Sequence, residues 1–354
     1  MMNRVQKVQK ELEKHDAQGI LITKDINRRY VSGFTGSAGI VLVTRDEAVL
    51  ITDFRYCEQA AEEAKGLRVV IHKGDIIKEV NDSIQQMKLS SVWIEEDDMS
   101  LKTYLALSGA TAVELNKSNQ LMEKIREIKE PVEIDLLTKA AAIADEAFSK
   151  IIPFIKPGMT EIEVRNRLEF TMRELGASSS SFNMIVASGE RAAFPHGVAS
   201  SKMIDSGDMI TLDFGALYEG YCSDITRTVS VGQPTNRFKE IYDIVHEALR
   251  RGTREVSQGT RAHYIDYVVR SFIEEHGYGE NFGHSTGHGL GMEVHEPLRL
   301  SKESEEVLQE GMVVTIEPGI YIPGFGGCRI EDDLLVTDQG YELLTKSSRD
   351  LIIL

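Results

Sequence analysis

Apolar residues in the first 120 or so positions come in short runs: "GILIT" (19–23), "GIVLVT" (39–44), "AVLITD" (48–53), "RVVIH" (68–72), "SVWIEE" (91–96) and "TAVEL" (111–115). Runs of this length, rich in Val and Ile, predict strands. Between them, "RYCEQAAEEAK" (55–65), "DIIKEVNDSIQQMK" (75–88) and "SLKTYLALSG" (100–109) have the spacing of helices with one apolar face. The alternation predicts an α/β domain with a mixed sheet. It holds no glycine-rich phosphate loop, and its polar residues fall in no spacing that suggests a chemical role.

From Asn119 the pattern changes. "NQLMEKIREIKEPVEIDLLTKAAAIADEAFSKIIPFI" predicts two successive helices, with Pro131 tolerated at the start of the second. A third helix opens after "KPGM", with Thr160 as N-cap and Glu163 completing a capping box. Strand-rich sequence follows over 182–232, then helices near 236–256 and 263–276, then strands from 312 onward. Helices and antiparallel hairpins in blocks predict an α+β domain. The expected organisation is a smaller domain over 1–122 and a larger one over 123–354.

Two hairpins in this larger domain carry acids inside sequence that otherwise reads as buried strand. In "MITLDFGALYEGYCSDITRTVSV", Asp213 ends an apolar strand and Asp224 sits early in the next. Opposed residues of an antiparallel pair have numbers of constant sum, so a turn centred between Tyr218 and Glu219 would set these two acids across from each other. In "MVVTIEPGIYIPGFGGCRIEDDLLVT", Glu317 and Glu331 have their midpoint at Gly324, inside the turn-prone "PGFGG". Burying a carboxylate unpaired among Val, Ile and Leu is costly. The four acids therefore either face water at strand ends, or join an ion-pair network with cations such as Arg227 and Arg329, or bind metal. Two divalent cations would balance four carboxylates, and the paired placement favours that reading.

Three of the nine histidines lie in "GHSTGHGLGMEVHE" (283–296). The glycines disfavour a helix here, and His295-Glu296 is followed by Pro297 rather than by the spacing of a helical zinc-peptidase motif. On a strand, His288 and His295 face opposite sides unless a bend or bulge intervenes.

The remaining composition narrows the class. A formal charge of -16 argues against nucleic-acid or anionic-membrane binding. Three scattered cysteines fit a reducing compartment. The charged N-terminal stretch predicts no signal peptide, and no apolar run approaches the roughly 18 residues of a membrane span. A cytoplasmic protein is expected.

Asp213, Asp224, His288, Glu317 and Glu331, in that order, resemble the five ligands of the pita-bread-fold metallopeptidases, the family of methionine aminopeptidase, aminopeptidase P and prolidase. "FPHG" (194–197), "TGHGLGMEVHE" (286–296), "TIEPGIY" (315–321) and "RIEDD" (329–333) resemble further blocks of that family. "YVSGFTGS" (30–37) and "TDFRYCEQA" (52–60) resemble the N-terminal domain of its proline-specific branch. The resemblance implies a pita-bread catalytic domain behind a creatinase-like domain that makes dimer contacts and walls the cleft. It also implies two divalent ions per chain. Asp224 and Glu331 would bridge them, Asp213 would hold one, and His288 and Glu317 the other. The oxygen-rich donor set suits Mn²⁺, with Co²⁺ or Zn²⁺ as alternatives. Glu317 would be the proton acceptor. His196, His284 and His295 would line the substrate cleft, and Arg329 would hold a ligand carboxylate from behind.

The implied reaction is hydrolysis of the Xaa-Pro bond of short peptides by a metal-bridged hydroxide, in a homodimer. An Xaa-Pro dipeptidase is the expectation, with aminopeptidase P acting on longer peptides as the alternative. Arg299, eleven residues after His288, stands where some dipeptidases dock the proline carboxylate; its other reading is a surface arginine. A catalytically inactive binding module of the same fold is the third reading, against which the intact set of five ligands argues.

Overall fold

The computed structural model describes residues 3–354. The chain divides between Arg126 and Glu127 into two compact units.

The first unit contains α1 (Arg4–Lys14), β1 (Gly19–Ile22), α2 (Asp25–Ser32), β2 (Ile40–Thr44), β3 (Ala48–Thr52), α3 (Cys57–Glu63), β4 (Arg68–Ile71), α4 (Ile76–Gln86), β5 (Ser91–Ile94), α5 (Leu101–Ala110), β6 (Glu114–Lys117) and α6 (Leu121–Glu127). Its sheet is ordered β4-β3-β2-β1-β5-β6. The hairpins β1–β2 and β2–β3 are antiparallel, while β3–β4, β1–β5 and β5–β6 are parallel, so the sheet is mixed. Leu21, Leu42, Val49, Ile51, Val80 and Ile84 form part of one core beneath it. β6 lies slightly later than "TAVEL" suggests, because the ladder to β5 starts at Glu114. Two helices escape the sequence reading. α1 is closed by an Asn3–Gln6 capping box but buries only Val8 and Leu12, too sparse an apolar face to stand out among its charges. α2 has a largely polar sequence that is buried all the same.

The second unit contains α7 (Pro131–Ile151), α8 (Glu161–Glu174), β7 (Ser179–Ser180), β8 (Ile185–Ser188), β9 (Met209–Phe214), β10 (Ala216–Tyr218), β11 (Tyr221–Cys222), β12 (Ile225–Ser230), α9 (Asn236–Arg254), α10 (Ala262–Glu275), β13 (Gly287–Gly289), β14 (Glu296–Leu300), β15 (Val313–Ile316), β16 (Gly319–Ile322), β17 (Gly326–Arg329), β18 (Asp332–Thr337) and β19 (Gly340–Leu343). Pro131 occupies the first turn of α7, where its missing N–H is not needed. Thr160 and Glu163 form the expected capping box of α8.

These elements make two halves of similar design. In the first, α7 and α8 pack on the antiparallel sheet β12-β9-β8 around Phe148, Leu168, Leu212 and Val229. In the second, α9 and α10 pack on β14-β13-β15-β18-β19 around Val245, Val269, Val314 and Leu334. The halves join where β12 lies against the β17–β18 segment: Glu331 N–H donates to the Thr226 carbonyl (3.1 Å), and Thr228 Oγ1 donates to the Arg329 carbonyl (2.8 Å). Five acids or histidines of interest sit along this seam, two from the first half and three from the second.

The register corrects one expectation. β9 pairs with β12 so that Asp213 opposes Thr226, not Asp224. The turn is centred one residue later, between Glu219 and Gly220, both with positive φ (51° and 89°), as a tight two-residue hairpin turn requires. Moving the centre by one residue moves the pairing by two, which preserves the face. Asp224 is therefore a diagonal neighbour of Asp213 on the same side of the sheet. In the second hairpin the midpoint does lie at Gly324: Gly319 opposes Arg329, and Ile316 opposes Asp332. Extending the two ladders toward each other brings Glu317 against Glu331.

Candidate active site

Each side chain of the site is set by a strand end or an adjoining irregular segment. Asp213 is the fifth residue of β9, and Asp224 immediately precedes β12. His288 is the middle residue of β13. Gly287 beside it is there because β13 crosses β15 closely: a Cβ would come within 1.9 Å of the Thr315 carbonyl oxygen. That approach lets His288 N–H donate to Thr315 Oγ1 (3.1 Å). Between His288 and Gly289 the ladder to β14 slips by a bulge, the bend that His288 and His295 need to share a site. Their rings meet edge to face at 4.4 Å between centroids.

The result is a half-open cleft of about 400 Å³ lined by Asp213, Asp224, His288, Glu317 and Glu331 together with His196, His284, His295, Arg299 and Arg329. All the site residues singled out in the sequence are in this one place. Among the described residues, Asp224, His288 and Glu331 offer ligand atoms that all lie within 4.8 Å of one another. His288 Nε2 is 3.7 Å from an Asp224 oxygen and 3.4 Å from a Glu317 oxygen. Its Nδ1 lies 3.1 Å from the Gly289 carbonyl, which fixes that nitrogen as the N–H and leaves Nε2 as the lone-pair donor. Burial, with His295 nearby, lowers its pKa to about 3, so the ring is neutral.

The acids have far too little positive charge to match them. Burial and mutual repulsion push Asp224 and Glu331 well above the usual carboxylate range. Burial pushes Glu317 up to about 8 despite the Arg329 guanidinium. Arg329 donates to Asp213, to Thr226 Oγ1 (3.2 Å) and to Tyr321 Oη (2.6 Å). Arg227, offered by the sequence as a second counter-charge, is turned away: it pairs with Asp332 at 2.7 Å and donates to the Ser348 carbonyl. Asp224 Oδ1 is buried with no hydrogen-bond partner. Four carboxylates, one arginine, one neutral imidazole and an orphaned carboxylate oxygen are a donor set that fits divalent cations.

Two participants were missed in the sequence. Tyr321 accepts from Arg329 and donates to His284 Nε2 (2.8 Å), while His284 Nδ1 donates to the Ser285 carbonyl (2.8 Å). Thr226 donates to Glu331 (2.6 Å). A parity signal existed for both. Tyr321 is four residues from Glu317 and Thr226 two from Asp224, spacings that share a face on a strand. His15, His72, His246, His263 and His276 lie outside the cleft lining.

A carboxylate-rich donor set at the floor of a cleft is the chemistry of a metal-dependent hydrolase. Residues 135–338 match the model of metallopeptidase family M24, and residues 4–128 match the creatinase/prolidase N-terminal domain. The chain belongs to metallopeptidase family M24, whose members work with divalent metal ions, and its second unit has that family's pita-bread fold. The chain is 50% identical to a solved structure described as an Xaa-Pro dipeptidase from Bacillus anthracis, with 99% of each chain covered and a TM-score of 0.97. It is 40% identical to an Xaa-Pro dipeptidase of Pyrococcus furiosus over 99% of this chain and 100% of that one. A structure described as an X-Pro aminopeptidase from Thermotoga maritima superposes with a TM-score of 0.92 at 39% identity, covering 97% of this chain and 100% of the other. No helix among the described residues is long and apolar enough to cross a membrane.

Proposed function

We propose that this metallopeptidase hydrolyses the Xaa-Pro bond of dipeptides. The relatives described as Xaa-Pro dipeptidases, matched over nearly their whole length, support the bond specificity. The observation that carries the dipeptide preference is the position of Arg299. In the β13–β14 ladder it directly opposes His288, and opposed residues project to the same face. Its exposed guanidinium therefore borders the cleft on the metal-ligand side, where it can take the free carboxylate of a substrate that ends at proline.

Asp213, Asp224, His288, Glu317 and Glu331 are the residues that would hold two ions. Two divalent ions there, Mn²⁺ first and Co²⁺ or Zn²⁺ as alternatives, would supply an activated water and polarise the scissile carbonyl. Glu317 accepts the proton of the attacking water and returns it to the leaving nitrogen. His196, His284 and His295 face the cleft; His196 and His295 hydrogen-bond the carbonyl oxygen as it gains charge, while His284, held by Ser285 and Tyr321, borders Glu317. Phe182, Ile185, Val198 and Val294 give the cleft an apolar wall suited to a proline ring or an aliphatic side chain. Arg329 and Tyr321 keep Asp213 and His284 in place from behind.

A second reading, aminopeptidase P acting on longer peptides, is favoured by the likeness to the Thermotoga protein. Proline release from Ala-Pro and alanine release from Ala-Pro-Ala separate the two on one Mn²⁺-loaded preparation. The dipeptidase reading predicts the larger kcat/KM for Ala-Pro. It also predicts that Arg299→Ala raises KM for Ala-Pro by about 10-fold or more, as loss of a charged hydrogen-bond partner does, with a much smaller effect on Ala-Pro-Ala. Faster cleavage of the tripeptide, or equal effects of the substitution on both, decides for the aminopeptidase.

A further inference from the structure

His284 lies on a stretch, residues 282–286, that belongs to no helix or strand. Backbone groups of such a stretch need partners from elsewhere, and here two carbonyls and one hydroxyl find them on one face of α10. Asp266 and Arg270 are four residues apart on that helix and form a two-pronged ion pair, with Nε to Oδ2 at 2.9 Å and Nη2 to Oδ1 at 2.7 Å. Arg270 also donates to the carbonyls of Phe282 (2.8 Å) and His284 (2.8 Å), and its guanidinium stacks over the Phe282 ring at 4.4 Å. Asp266, fully buried, accepts from Thr286 Oγ1 (2.8 Å). The Thr286 carbonyl in turn accepts the backbone N–H of Glu317 (2.8 Å).

One ion pair therefore holds both ends of this segment. At the near end it fixes the backbone of His284, whose ring stacks edge-on against Phe282. At the far end it acts through Thr286 on Glu317, the residue 3.7 Å from the His284 ring. Neither Asp266 nor Arg270 lines the cleft; both line a separate surface recess of about 480 Å³ with Tyr264, Tyr267 and Lys302. The shorter side chain of a variant at 270 opens toward this recess, where water can replace the lost donors, so the fold tolerates the change better than a core truncation.

We propose that Asp266 and Arg270 are positioning residues for hydrolysis, a clamp outside the cleft that sets the distance between His284 and Glu317. The proposal rests on the roles assigned to those two residues above. A lysine at 270 can satisfy one of the two carbonyls or the carboxylate, but not all three in the guanidinium's plane.

The test compares Arg270→Gln, Arg270→Lys, Thr286→Val and Thr286→Ser with the wild type, at a temperature where all are folded and after equal loading with Mn²⁺. The clamp predicts kcat for Ala-Pro lower by about 10- to 100-fold in Arg270→Gln and Thr286→Val, the scale of a misplaced catalytic group. KM should change little, Arg270→Lys should recover only part, and Thr286→Ser should be close to wild type. Amide hydrogen exchange over 282–287 should speed up in the two impaired variants, with the strands β15 and β18 unchanged. Wild-type kcat in folded, metal-loaded Arg270→Gln, or exchange over 282–287 that does not change, overturns the clamp. A wild-type chain that cleaves no Xaa-Pro peptide overturns the proposed function instead, and the exchange measurement still judges the clamp.

Discussion

Arg329 touches more of the site than any other cation, and its reach shows how single residues divide the work. One guanidinium meets Asp213, Thr226 and Tyr321, and through Tyr321 it holds Nε2 of His284. With the Tyr321 hydroxyl donating to Nε2, His284 stays neutral; burial, with Arg329 adding repulsion, lowers its pKa to about 4. Glu317 sits between this histidine and His288. Glu317→Ala removes a proposed ligand and the proposed proton acceptor together, so the expected result is a loss of at least about 100-fold in kcat and weaker retention of metal through dialysis. An active variant that keeps its metal would remove Glu317 from both roles. The four candidate acids were legible in the sequence because a carboxylate inside a run of Val and Ile contradicts its surroundings, whereas His288 stood out from its neighbouring histidines only through the family resemblance. Tyr321, Thr226, Asp266 and Arg270 raise no such contradiction, since their residue types are ordinary for strand and helix. What they do emerges only from what the fold sets beside them.

At the scale of elements, both hairpins were legible; the exact pairing was legible in the second and not in the first. The turn "YEGY" admits two centres one residue apart, and nothing local to the sequence chooses between them. The choice falls to Gly220, which takes a φ of 89° beside Glu219 at 51°. The bulge after His288 was foreseeable as a need, from the parity of His288 and His295, but its location follows from the β13 crossing at Gly287. In the first unit the six strands could be read from their apolar runs, whereas α2 could not, because its buried polar residues are satisfied by distant partners. Asn27 on α2 donates to Glu95 (2.7 Å), which also accepts the backbone N–H groups of Thr23 (2.6 Å) and Lys24 (2.7 Å).

That knot has a pH dependence of definite sign. Burial raises the pKa of Glu95 to about 7 from a reference of 4.5. Between these values the folded chain binds the proton and the unfolded chain does not, so stability from this group is fully present below about 4.5 and declines as pH rises through about 7. The urea midpoint of the wild type should therefore lose ground between pH 5 and pH 8 relative to Glu95→Gln, which carries no titrating group there. Parallel midpoints for the two proteins across that range would show that Glu95 titrates normally.

At the scale of the whole molecule, the second unit is two helix-pair-on-sheet halves, and the site belongs to neither alone. The first half contributes Asp213 and Asp224; the second contributes His288, Glu317 and Glu331. Four acids converge at the seam with one arginine among them, an arrangement whose repulsion would oppose folding unless cations offset it. The central claim is that divalent metal at this seam performs the hydrolysis. The most direct measurement strips the protein with a chelator, then titrates Mn²⁺ back while following both calorimetric binding and proline release from Ala-Pro. The account predicts no release from the stripped chain and activity that rises with occupancy to two ions per chain, with Asp224→Asn showing neither tight binding nor turnover. Undiminished hydrolysis by the stripped chain, or full activity in Asp224→Asn, would contradict it.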